Sequence, residues 1–461
     1  MSDIVCISPV DGRELARRPI TEASAIDAAV TAARKAQAAW RRTPVAERAR
    51  LCSAAVDAML AMRDEIVPEL AWQMGRPVKF AAGELRGFEE RARHMIAIAD
   101  RALAPVEPDA KAGFTRYIKR EPAGIVLTIA PWNYPYLTAV NSIIPALMAG
   151  NAVLLKHAAQ TLLAGERFQR AMDQAGLPDG LFRTLVLGHA DTTTLISSGM
   201  VDQVCFTGSV DAGRAIEQAA AGTFAAVGLE LGGKDPAYVR PDADLGDAIE
   251  NLVDGAFFNS GQCCCGIERI YVHAGIYDRF RDGFVALTEQ YVLGDPLDEK
   301  TTLGPMAQPR LAATVRNHIA DAVSMGAKPL IDTKRFARDA PGSTYVAPQI
   351  LVDVDHAMTV MNEETFGPVV GIMKVTSDDE AVGLMNDSRY GLTASVWTQD
   401  VDAAQAIGDT IETGTIYMNR CDYLDPGLAW TGVKDTGRGV TLSAMGYDAL
   451  TRPKSFHLKH G

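Results

Sequence analysis

Hydrophobic positions in the first hundred residues recur at the spacing of amphipathic helices. The pattern predicts helices over residues 45–62 and 78–103, and the Gly75-Arg76-Pro77 sequence breaks the chain between them. An earlier helix is predicted to follow Thr21, which has the side chain of an N-cap. Its apolar face consists of Ala25, Ala28, Ala29 and Ala32.

Beyond Pro108 the pattern changes to shorter apolar runs. Phe114–Lys119 alternates as a strand does, and Ile125–Ile129 is continuously apolar, which is typical of a strand buried on both faces. Residues 122–155 carry no charge over a length that could span a bilayer, but Pro131, Pro135 and Pro145 interrupt them. Since proline removes helix hydrogen bonds, a strand, a loop, a helix and a second strand are predicted there instead of one membrane-spanning helix.

Strands and helices then alternate to about residue 417, with short connections that contain glycine or proline. This alternation predicts an α/β fold of two α/β units, with parallel sheets covered on both faces. Strands are predicted at Ala152–Leu155, Arg183–Leu187, Gln203–Phe206, Arg269–His273, Val369–Lys374 and Ala394–Thr398, and helices at Leu162–Ala175, Ala212–Ala221 and Tyr277–Tyr291.

Composition narrows the class of protein. The chain has 461 residues, of which 48% are hydrophobic and 22% charged, so a disordered or fibrous chain is excluded. The length is that of roughly three domains. A net charge of −12 without a basic cluster argues against nucleic acid as a partner. Residues 1–11 lack the basic flank and the cleavage site of a secretory signal.

Seven cysteines, three of them consecutive, do not form the pattern of a disulfide framework, so a reducing compartment is expected. The triplet Cys263-Cys264-Cys265 is poorly spaced for zinc, whose paired cysteines are usually separated by about two to four residues. Two interpretations are open from the triplet alone. The thiols pack in a core as small apolar groups, or one of them is a nucleophile on a glycine-containing loop.

Three further segments carry candidate chemistry, each with a structural alternative. Glu230 ends an apolar run before two glycines, and is either a general base or a strand-end carboxylate that pairs with lysine or solvent. Asn133 follows a buried strand and either donates to an oxyanion or stabilises its own turn. The turn at Gly208 and Ser209 opens a helix whose amides could hold pyrophosphate, although no G-x-G-x-x-G sequence occurs in the chain.

Together these segments resemble the aldehyde dehydrogenase superfamily, the NAD(P)-dependent enzymes that oxidise aldehydes to acids. The resemblance covers almost the whole chain and rests on seven motifs in sequence order. They are Pro131–Asn133, Gly150–Lys156, Phe206–Ser209, Glu230–Lys234, Phe258–Cys265, Glu363–Pro368 and Gly432–Gly437.

The resemblance implies a hydrolytic, non-acylating enzyme. Cys264 matches the nucleophile, Glu230 the base that activates water, and Asn133 with the Cys264 backbone amide the oxyanion hole. The implied reaction passes through a thiohemiacetal and a thioester. A CoA-acylating enzyme, a non-catalytic binding protein and a thiol-based redox sensor are the alternatives. The presence of the three matched residues argues against the first two.

The resemblance also implies NAD or NADP as the cofactor, and no metal. Lys156 matches the residue on the adenosine ribose, Ser209 the one on the pyrophosphate, and Glu364 the one on the nicotinamide ribose. Many NAD-preferring members have glutamate where this chain has Ala159, so dual use of NAD and NADP is expected, with His157 as a further aid to the 2′-phosphate. The predicted cofactor residues are Ile129, Pro131, Trp132, Lys156, Ala159, Gly188, Phe206, Gly208, Ser209, Leu231, Glu364 and Phe366.

The substrate is defined less closely. Relatives that oxidise succinate semialdehyde often carry arginine at the position of Asn141, which argues against that class, whereas Arg420 offers another ligand for a substrate carboxylate. An aromatic-walled tunnel is expected, with simple packing of the loop as the alternative. The predicted pocket residues are Tyr134, Asn141, Cys263, Cys265, Tyr423 and Trp430.

The family fold implies three parts. They are a Rossmann-like cofactor-binding domain (residues 1–110 and 124–230), an α/β catalytic domain (231–435) and a small β oligomerisation element (111–123 and 444–461). Gly113–Lys119 and Ser455–Lys459 are the expected strands of that element, which implies a homodimer or homotetramer. The other expected partner is a small-molecule aldehyde, with no membrane, and the expected location is the cytoplasm.

Overall fold

The first hundred residues combine one antiparallel strand pair with four helices in this computed structural model, which describes residues 3–461. The predicted helices over 45–62 and 78–103 are confirmed, whereas the strand pair and α3 were not predicted. Met1 and Ser2, where the predicted first domain begins, lie outside the described residues. The elements are β1 (Asp3–Ile7), β2 (Glu14–Pro19), α1 (Ala23–Trp40), α2 (Val45–Ala61), α3 (Arg63–Met74) and α4 (Val78–Ala102).

The predicted N-cap Thr21 is wrong. The residue that precedes α1 is Glu22, and no side chain caps this helix. The hydroxyl of Thr21 instead accepts a hydrogen bond from the Val186 amide at 3.0 Å, and the Thr21 amide donates to the Val186 carbonyl at 2.8 Å. Thr21 therefore ties the start of α1 to the segment after β6, defined below.

The next part of the chain alternates between strands and helices, as predicted. The uncharged residues 122–155 form a strand, a turn, a helix and a second strand, which confirms the prediction made for them. The strand expected at 183–187 is shorter and lies one residue earlier. The elements are β3 (Phe114–Pro122), β4 (Ile125–Ile129), α5 (Pro135–Ala149), β5 (Ala152–Lys156), α6 (Leu162–Gln174), β6 (Phe182–Thr184), α7 (His189–Ser197), β7 (Gln203–Thr207), α8 (Val210–Ala220) and β8 (Ala226–Glu230).

A second alternating series follows. Its predicted strands at 269–273, 369–374 and 394–398 are confirmed within two residues at each end, and the helix expected over 277–291 ends three residues early. The elements are β9 (Asp235–Val239), α9 (Leu245–Phe257), β10 (Ile267–His273), α10 (Tyr277–Thr288), α11 (Pro309–Ser324), β11 (Lys328–Pro329), β12 (Gln349–Val352), α12 (Thr359–Asn362), β13 (Val369–Val375), α13 (Asp378–Asn386), β14 (Tyr390–Gly391), β15 (Thr393–Trp397), α14 (Val401–Gly408), β16 (Thr415–Met418), β17 (Val433–Lys434), β18 (Gly437–Arg438) and β19 (Thr451–Lys459).

Two mainly parallel sheets organise these strands. The first has the order β18-β8-β7-β4-β5-β6, in which only β18 is antiparallel. The second has the order β11-β12-β13-β10-β9-β15-β16, in which only β11 is antiparallel. Their central strands β4 and β9 are buried along their whole length, because helices cover both faces of a parallel sheet. The α/β fold is confirmed.

A separate ribbon pairs β3 with β19 over nine residues, antiparallel, and joins the two strands that were expected to form the oligomerisation element. Tyr117 stacks on Phe456 with ring centroids 4.5 Å apart. All nine residues of β19 are at least partly exposed on the isolated chain, and seven of them are classed as exposed. Two-stranded ribbons are at best marginally stable alone, so further packing is expected here.

No helix within residues 3–461 combines the length and apolar character that crossing a membrane requires. This agrees with the interpretation of residues 122–155 as several short elements.

Gly75, at the break between α3 and α4, is expected to tolerate no side chain. Its φ is +84°, and a Cβ would lie 2.5 Å from the Pro305 carbonyl oxygen. Gly75→Ala therefore combines a left-handed backbone, which costs about 1–2 kcal/mol, with overpacking, which costs about 1–3 kcal/mol. We expect it to lower the midpoint of thermal unfolding, followed by circular dichroism.

Gly176→Ala is the matched control, because Gly176 has φ +75° and open space around the added Cβ. It should lower the midpoint by the smaller, backbone contribution alone. Equal shifts for the two variants would contradict the proposed contact with Pro305.

Candidate active site

The carboxyl ends of the parallel strands in the first sheet meet at one edge. β4 ends at Ile129, β5 at Lys156 and β8 at Glu230. β4 lies between β5 and β7, so the strand order extends from β4 to β5 and β6 on one side and to β7 and β8 on the other. The crevice beyond such a switch point is the usual ligand position in open α/β sheets.

A cavity of about 280 Å³ lies beside this edge and is lined by both halves of the chain. The second half contributes the loop after α9, which carries the three cysteines. The first half contributes α4 and the start of α5. The lining residues used below are Arg76, Glu84, Arg91, Tyr134, Asp254, Cys263, Cys264, Cys265 and Asp422.

The loop that carries the cysteines has an unusual backbone held by side chains. Asn259 and Ser260 both adopt left-handed conformations, with φ of 54° and 56°. The Asn259 amide donates to the Gln262 carbonyl at 3.1 Å, and the Ser260 hydroxyl donates to the Gly304 carbonyl at 2.8 Å. The Gln262 side chain accepts from the Ala307 amide at 2.8 Å. These bonds fix the backbone of the loop and therefore the position of the three cysteines that it carries.

A buried ion pair between Arg76 and Glu84 connects this loop to the turn before α5. Arg76 donates to the Asn259 side-chain oxygen at 3.1 Å and to the Asn133 carbonyl at 2.6 Å. Glu84 accepts from the amides of Tyr136 and Leu137, each at 2.9 Å, at the N-terminus of α5. The pair therefore places the turn and the cysteine loop relative to one another.

The three thiols form one cluster, with all Sγ atoms within 4.8 Å of one another and 3.5 Å between those of Cys263 and Cys265. Hydrogen bonding to its two neighbours lowers the pKa of Cys263. Hydrogen bonding to Cys263 raises the pKa of Cys264 and of Cys265. The cluster thus favours a state in which one of the three thiols is deprotonated and the others stay protonated.

Asn133, predicted as an oxyanion donor, is buried beside the cysteine loop. Its Nδ2 donates to the Gln262 carbonyl at 3.1 Å, which leaves the second hydrogen of that amide free. Asn133 and Gln262, the residue before the triplet, are 129 residues apart in sequence, and the fold brings them into contact.

Glu230 lies in a second cavity of about 40 Å³, which Ile129, Asn141 and Phe206 also line. Its carboxylate accepts from the Thr207 hydroxyl at 3.0 Å and from the Thr441 hydroxyl at 2.5 Å. Burial raises the pKa of Glu230, and the two hydroxyls and the charge of Arg91 oppose that rise. This combination suits a group that exchanges a proton near neutral pH.

Glu364 lies over the two glycines that follow Glu230. It accepts from the Gly233 amide at 3.2 Å, and a Cβ on Gly232 would overlap its carboxylate. Burial raises the pKa of Glu364 to about 8. The glycines therefore provide the space that this buried carboxylate needs.

A second buried ion pair, Lys234 with Glu268, places the segment after Glu364. Glu268 accepts from the amides of Thr365 and Phe366, both at 2.9 Å. The Phe366 ring meets Trp132 edge to face, with centroids 5.6 Å apart. Trp132 and Phe366 are thus brought together from opposite halves of the chain, as their shared assignment to a cofactor site requires.

Lys156 is a largely buried cation, and burial lowers its pKa. No carboxylate within residues 3–461 forms an ion pair with it, and its ammonium group donates to no acceptor in that range. The neighbouring Ser209 caps the N-terminus of α8 and accepts from the Ala212 amide at 3.4 Å. A free cation and a helix N-terminus at one sheet edge fit the polar parts of a dinucleotide.

His157 does not face that edge. Its Nε2 lies 3.1 Å from the Pro135 carbonyl and its Nδ1 3.2 Å from the Thr161 hydroxyl. Burial lowers the pKa of His157 to about 4, so the ring is neutral near pH 7. Both ring nitrogens are occupied, and His157 is not available to a 2′-phosphate.

The remaining predicted cofactor residues surround the same strand ends. Gly208 donates to the Glu230 carbonyl at 3.1 Å, and Leu231 to the Thr436 carbonyl at 3.0 Å. Gly188 precedes α7, Ala159 starts a short 3₁₀ turn after Lys156, and Pro131 stands in the turn after β4.

The predicted substrate residues are only partly brought together. Tyr134, Cys263 and Cys265 line the larger cavity, whereas Asn141, Tyr423 and Trp430 are not among its lining residues. The Tyr423 hydroxyl donates to Glu90 at 2.7 Å, and Arg420 is exposed with its guanidinium 3.7 Å from the Tyr423 ring centroid. Trp430 is buried and pairs with Thr441 through its backbone. The aromatic tunnel is therefore not formed, because these side chains pack the loop.

Sequence reasoning missed the residues that support the site. Arg76 was visible only as part of a helix break and Asn259 only as a member of the Phe258–Cys265 motif without a role of its own, and Glu84, Arg91 and Thr441 carried no motif. Arg91 follows Glu84 by seven residues, a spacing that returns to the same helix face, which was the one available signal.

Comparison with known proteins identifies what this arrangement resembles. The family model of the Aldehyde dehydrogenase family matches residues 1–456. An "Aldehyde dehydrogenase" of Paenarthrobacter nicotinovorans is 37% identical over 422 residues, which are 89% of this chain and 91% of that protein. "Succinate-semialdehyde dehydrogenase [NADP(+)] 1" of Mycobacterium tuberculosis is 34% identical over 448 residues, which are 96% and 97%. The crystal structure of an NAD-dependent aldehyde dehydrogenase from Sinorhizobium meliloti superimposes with a TM-score of 0.95 at 33% identity, covering 100% of this chain and 92% of that one.

Glu84→Gln tests the buried pair beneath this site. The substitution leaves the Arg76 guanidinium buried without a carboxylate, a change that costs about 3–5 kcal/mol in other proteins. We expect a lower midpoint of thermal unfolding than for Glu90→Gln, which changes an exposed glutamate of the same helix. Equal midpoints would show that the pair contributes no stability.

Proposed function

The chain belongs to the aldehyde dehydrogenase family and is an NAD(P)-dependent oxidoreductase of aldehydes, and we propose that Cys264, Glu230 and Asn133 carry its reaction. The observation that carries this proposal is the position of the thiol cluster, which lines the larger cavity, while Glu230 lines the smaller one and Thr138 lines both. Asn133 reaches the same loop through the Gln262 carbonyl.

The first step is attack of the Cys264 thiolate on the aldehyde carbon, which forms a thiohemiacetal. The second hydrogen on Asn133 Nδ2 and the Cys264 backbone amide stabilise the negative oxygen that develops. The hydrogen bond with Cys265 favours the Cys264 thiolate before it attacks, whereas the hydrogen bond with Cys263 opposes it. The chemistry that NAD(P) would supply there is acceptance of a hydride from the former aldehyde carbon, and the oxidised acyl group would remain on Cys264 as a thioester.

Glu230 completes the reaction. Its carboxylate removes a proton from water, the resulting hydroxide attacks the thioester carbon, and the carbon–sulfur bond breaks to release the acid and the Cys264 thiolate. The raised pKa of Glu230 supports this role. Its presence favours water over CoA as the acyl acceptor.

The cofactor would be held by groups that the protein leaves available. Lys156 would bind the adenosine ribose, the N-terminus of α8 at Ser209 the pyrophosphate, and Glu364 the nicotinamide ribose. Trp132 and Phe366, whose rings are in contact, would form the wall beside that ribose. We propose that both NAD and NADP are used, because alanine at position 159 offers no carboxylate to repel a 2′-phosphate.

We also propose the division into a cofactor-binding domain (1–110 and 124–230), a catalytic domain (231–435) and an oligomerisation element (111–123 and 444–461). The two parallel sheets and the β3–β19 ribbon support this division. The exposed ribbon supports a homodimer or homotetramer. Seven free cysteines support a reducing location such as the cytoplasm.

Cys264→Ala should abolish turnover without lowering the midpoint of thermal unfolding, because alanine removes only a half-buried thiol. Formation of reduced nicotinamide would be measured with a panel of aldehydes, with NAD and with NADP, and with and without CoA. Turnover that is independent of CoA and lost in the variant is expected.

Cys263→Ala and Cys265→Ala are the matched controls from the same loop. They should retain turnover, because neither supplies the sulfur that attacks the aldehyde. Retained turnover in Cys264→Ala, or its loss only in Cys263→Ala, would refute the assignment of the nucleophile.

Thr441→Val tests the carboxylate of Glu230. Since the Thr441 hydroxyl opposes the rise in pKa caused by burial, its removal should raise that pKa further. The Glu230 carboxylate would then be protonated at a higher pH than in the wild type. The acidic limb of the pH profile of kcat should therefore move to higher pH. Glu230→Gln should slow hydrolysis and let the thioester accumulate, which intact-mass measurement detects. An unchanged limb in Thr441→Val, or normal kcat without adduct in Glu230→Gln, would exclude Glu230 as the base.

A further inference from the structure

Arg91 is a buried cation that lines the same cavity as the thiol cluster. It lies on α4 and is 7% exposed. Its Nη1 donates to the Leu137 carbonyl at 2.8 Å and to the Asn141 side-chain oxygen at 3.3 Å. These bonds hold the guanidinium against α5 at the cavity wall.

The other edge of this guanidinium has no protein partner. Within residues 3–461, Arg91 Nε and Nη2 donate to no acceptor, and no carboxylate lies within 4.0 Å of its nitrogens. Both atoms are accessible to solvent, whereas the Nε of Arg48 is buried without a hydrogen-bond partner. The pair of donors that matches the two oxygens of a carboxylate is therefore free and accessible.

The carboxylates whose charges act on Arg91 are held by other groups. Glu84 pairs with Arg76, and Glu230 is held by Thr207 and Thr441. A buried cation without a carboxylate partner is unfavourable, since little water remains to solvate it. An anion supplied by a ligand would satisfy it.

We propose that Arg91 binds an anionic group at the far end of the substrate, so that the preferred substrates are short aldehydes that also carry a carboxylate. This inference deepens the proposed function and rests on it, because it takes Cys264 as the group that attacks the aldehyde. The free Nε and Nη2 edge binds the carboxylate with two hydrogen bonds, while Nη1 stays on Leu137 and Asn141.

The charges elsewhere in the cavity favour this orientation. Asp254 and Asp422 line the part near Cys263, and neither forms an ion pair within residues 3–461. Burial raises the pKa of both aspartates, and the charges that act on Arg91 are those of Glu230, Glu84, Cys264 and Cys265. The two aspartates therefore supply no counter-charge to Arg91, and a substrate anion is attracted to the Arg91 end of the cavity.

This inference revises the expectation for a semialdehyde. Arg420, expected as the carboxylate ligand, is exposed over Tyr423 and does not line the cavity. Asn141, whose lack of positive charge argued against an acidic substrate, instead orients an arginine from the neighbouring helix. The positive charge thus reaches the cavity from α4.

The test compares 4-oxobutanoate with butanal, which has the same carbon chain without the carboxylate, and with the cationic 4-aminobutanal. The wild-type enzyme should have its highest kcat/KM for 4-oxobutanoate. Arg91→Gln should raise the KM for 4-oxobutanoate about 10- to 100-fold, the range for hydrogen bonds to charged groups, and change that for butanal much less. Arg91→Lys should restore part of the loss, and Arg420→Gln, the exposed matched arginine, should leave both KM values unchanged.

An equal rise in KM for 4-oxobutanoate and for butanal in Arg91→Gln would overturn the inference, because Arg91 would then act on the nucleophile or the base alone. A wild-type preference for butanal or 4-aminobutanal would also overturn it. In either case the turnover of an aldehyde would leave the proposed function standing.

Binding provides a readout that needs no turnover. Calorimetry with succinate, the product of 4-oxobutanoate oxidation, should show binding to wild-type protein and to Cys264→Ala, and weaker binding by about 10-fold or more to Arg91→Gln. Binding that depends on Arg91 supports the inference even if no aldehyde is oxidised, an outcome that would refute the proposed function alone. Succinate binding that is equal with and without Arg91 would refute the inference.

Discussion

The geometry of the active site depends on the ion pair between Arg76 and Glu84. The guanidinium contacts the cysteine loop and the turn before α5, and the carboxylate contacts the first amides of α5. The nucleophile and the oxyanion donor come from loops more than a hundred residues apart, so a fixed group between them must define their separation. A charged pair is suited to this role because it is satisfied in only one arrangement.

The other half of the site has an equivalent arrangement. Lys234 and Glu268 form a buried pair whose carboxylate binds the amides that follow Glu364. Both ion pairs thus place loop backbone, whereas Lys156 and Arg91 have no carboxylate partner within residues 3–461. The paired cations position the loops, and the unpaired cations are the ones that we propose to bind ligand.

The sequence was most informative where a pattern is local. Ile125–Ile129 is a strand with the predicted ends, because a continuous apolar run between turn residues has few other solutions. α3 was missed because it contains Pro68 and lacks a clear apolar face, and β1 and β2 because their residues are largely exposed. Cys264, Glu230 and Asn133 were predicted from motifs, and their roles stay predictions. Arg76 contacts Asn259 across 183 residues of sequence, and Thr441 contacts Glu230 across 211 residues. The direction of the His157 ring depends on packing. None of these features could be derived from a local pattern.

The C-terminal segment has a consequence for the order of events during synthesis. β18 joins the first sheet beside β8, Thr441 holds Glu230, and β19 pairs with β3 from the other end of the chain. These contacts join residues that the ribosome makes at widely separated times, and such long-range contacts form slowly. The first sheet and the ribbon are therefore completed only after residues 437–459 have left the ribosome. A chain interrupted before residue 437 leaves the edge of β8 unpaired and Glu230 without its hydrogen bond from Thr441.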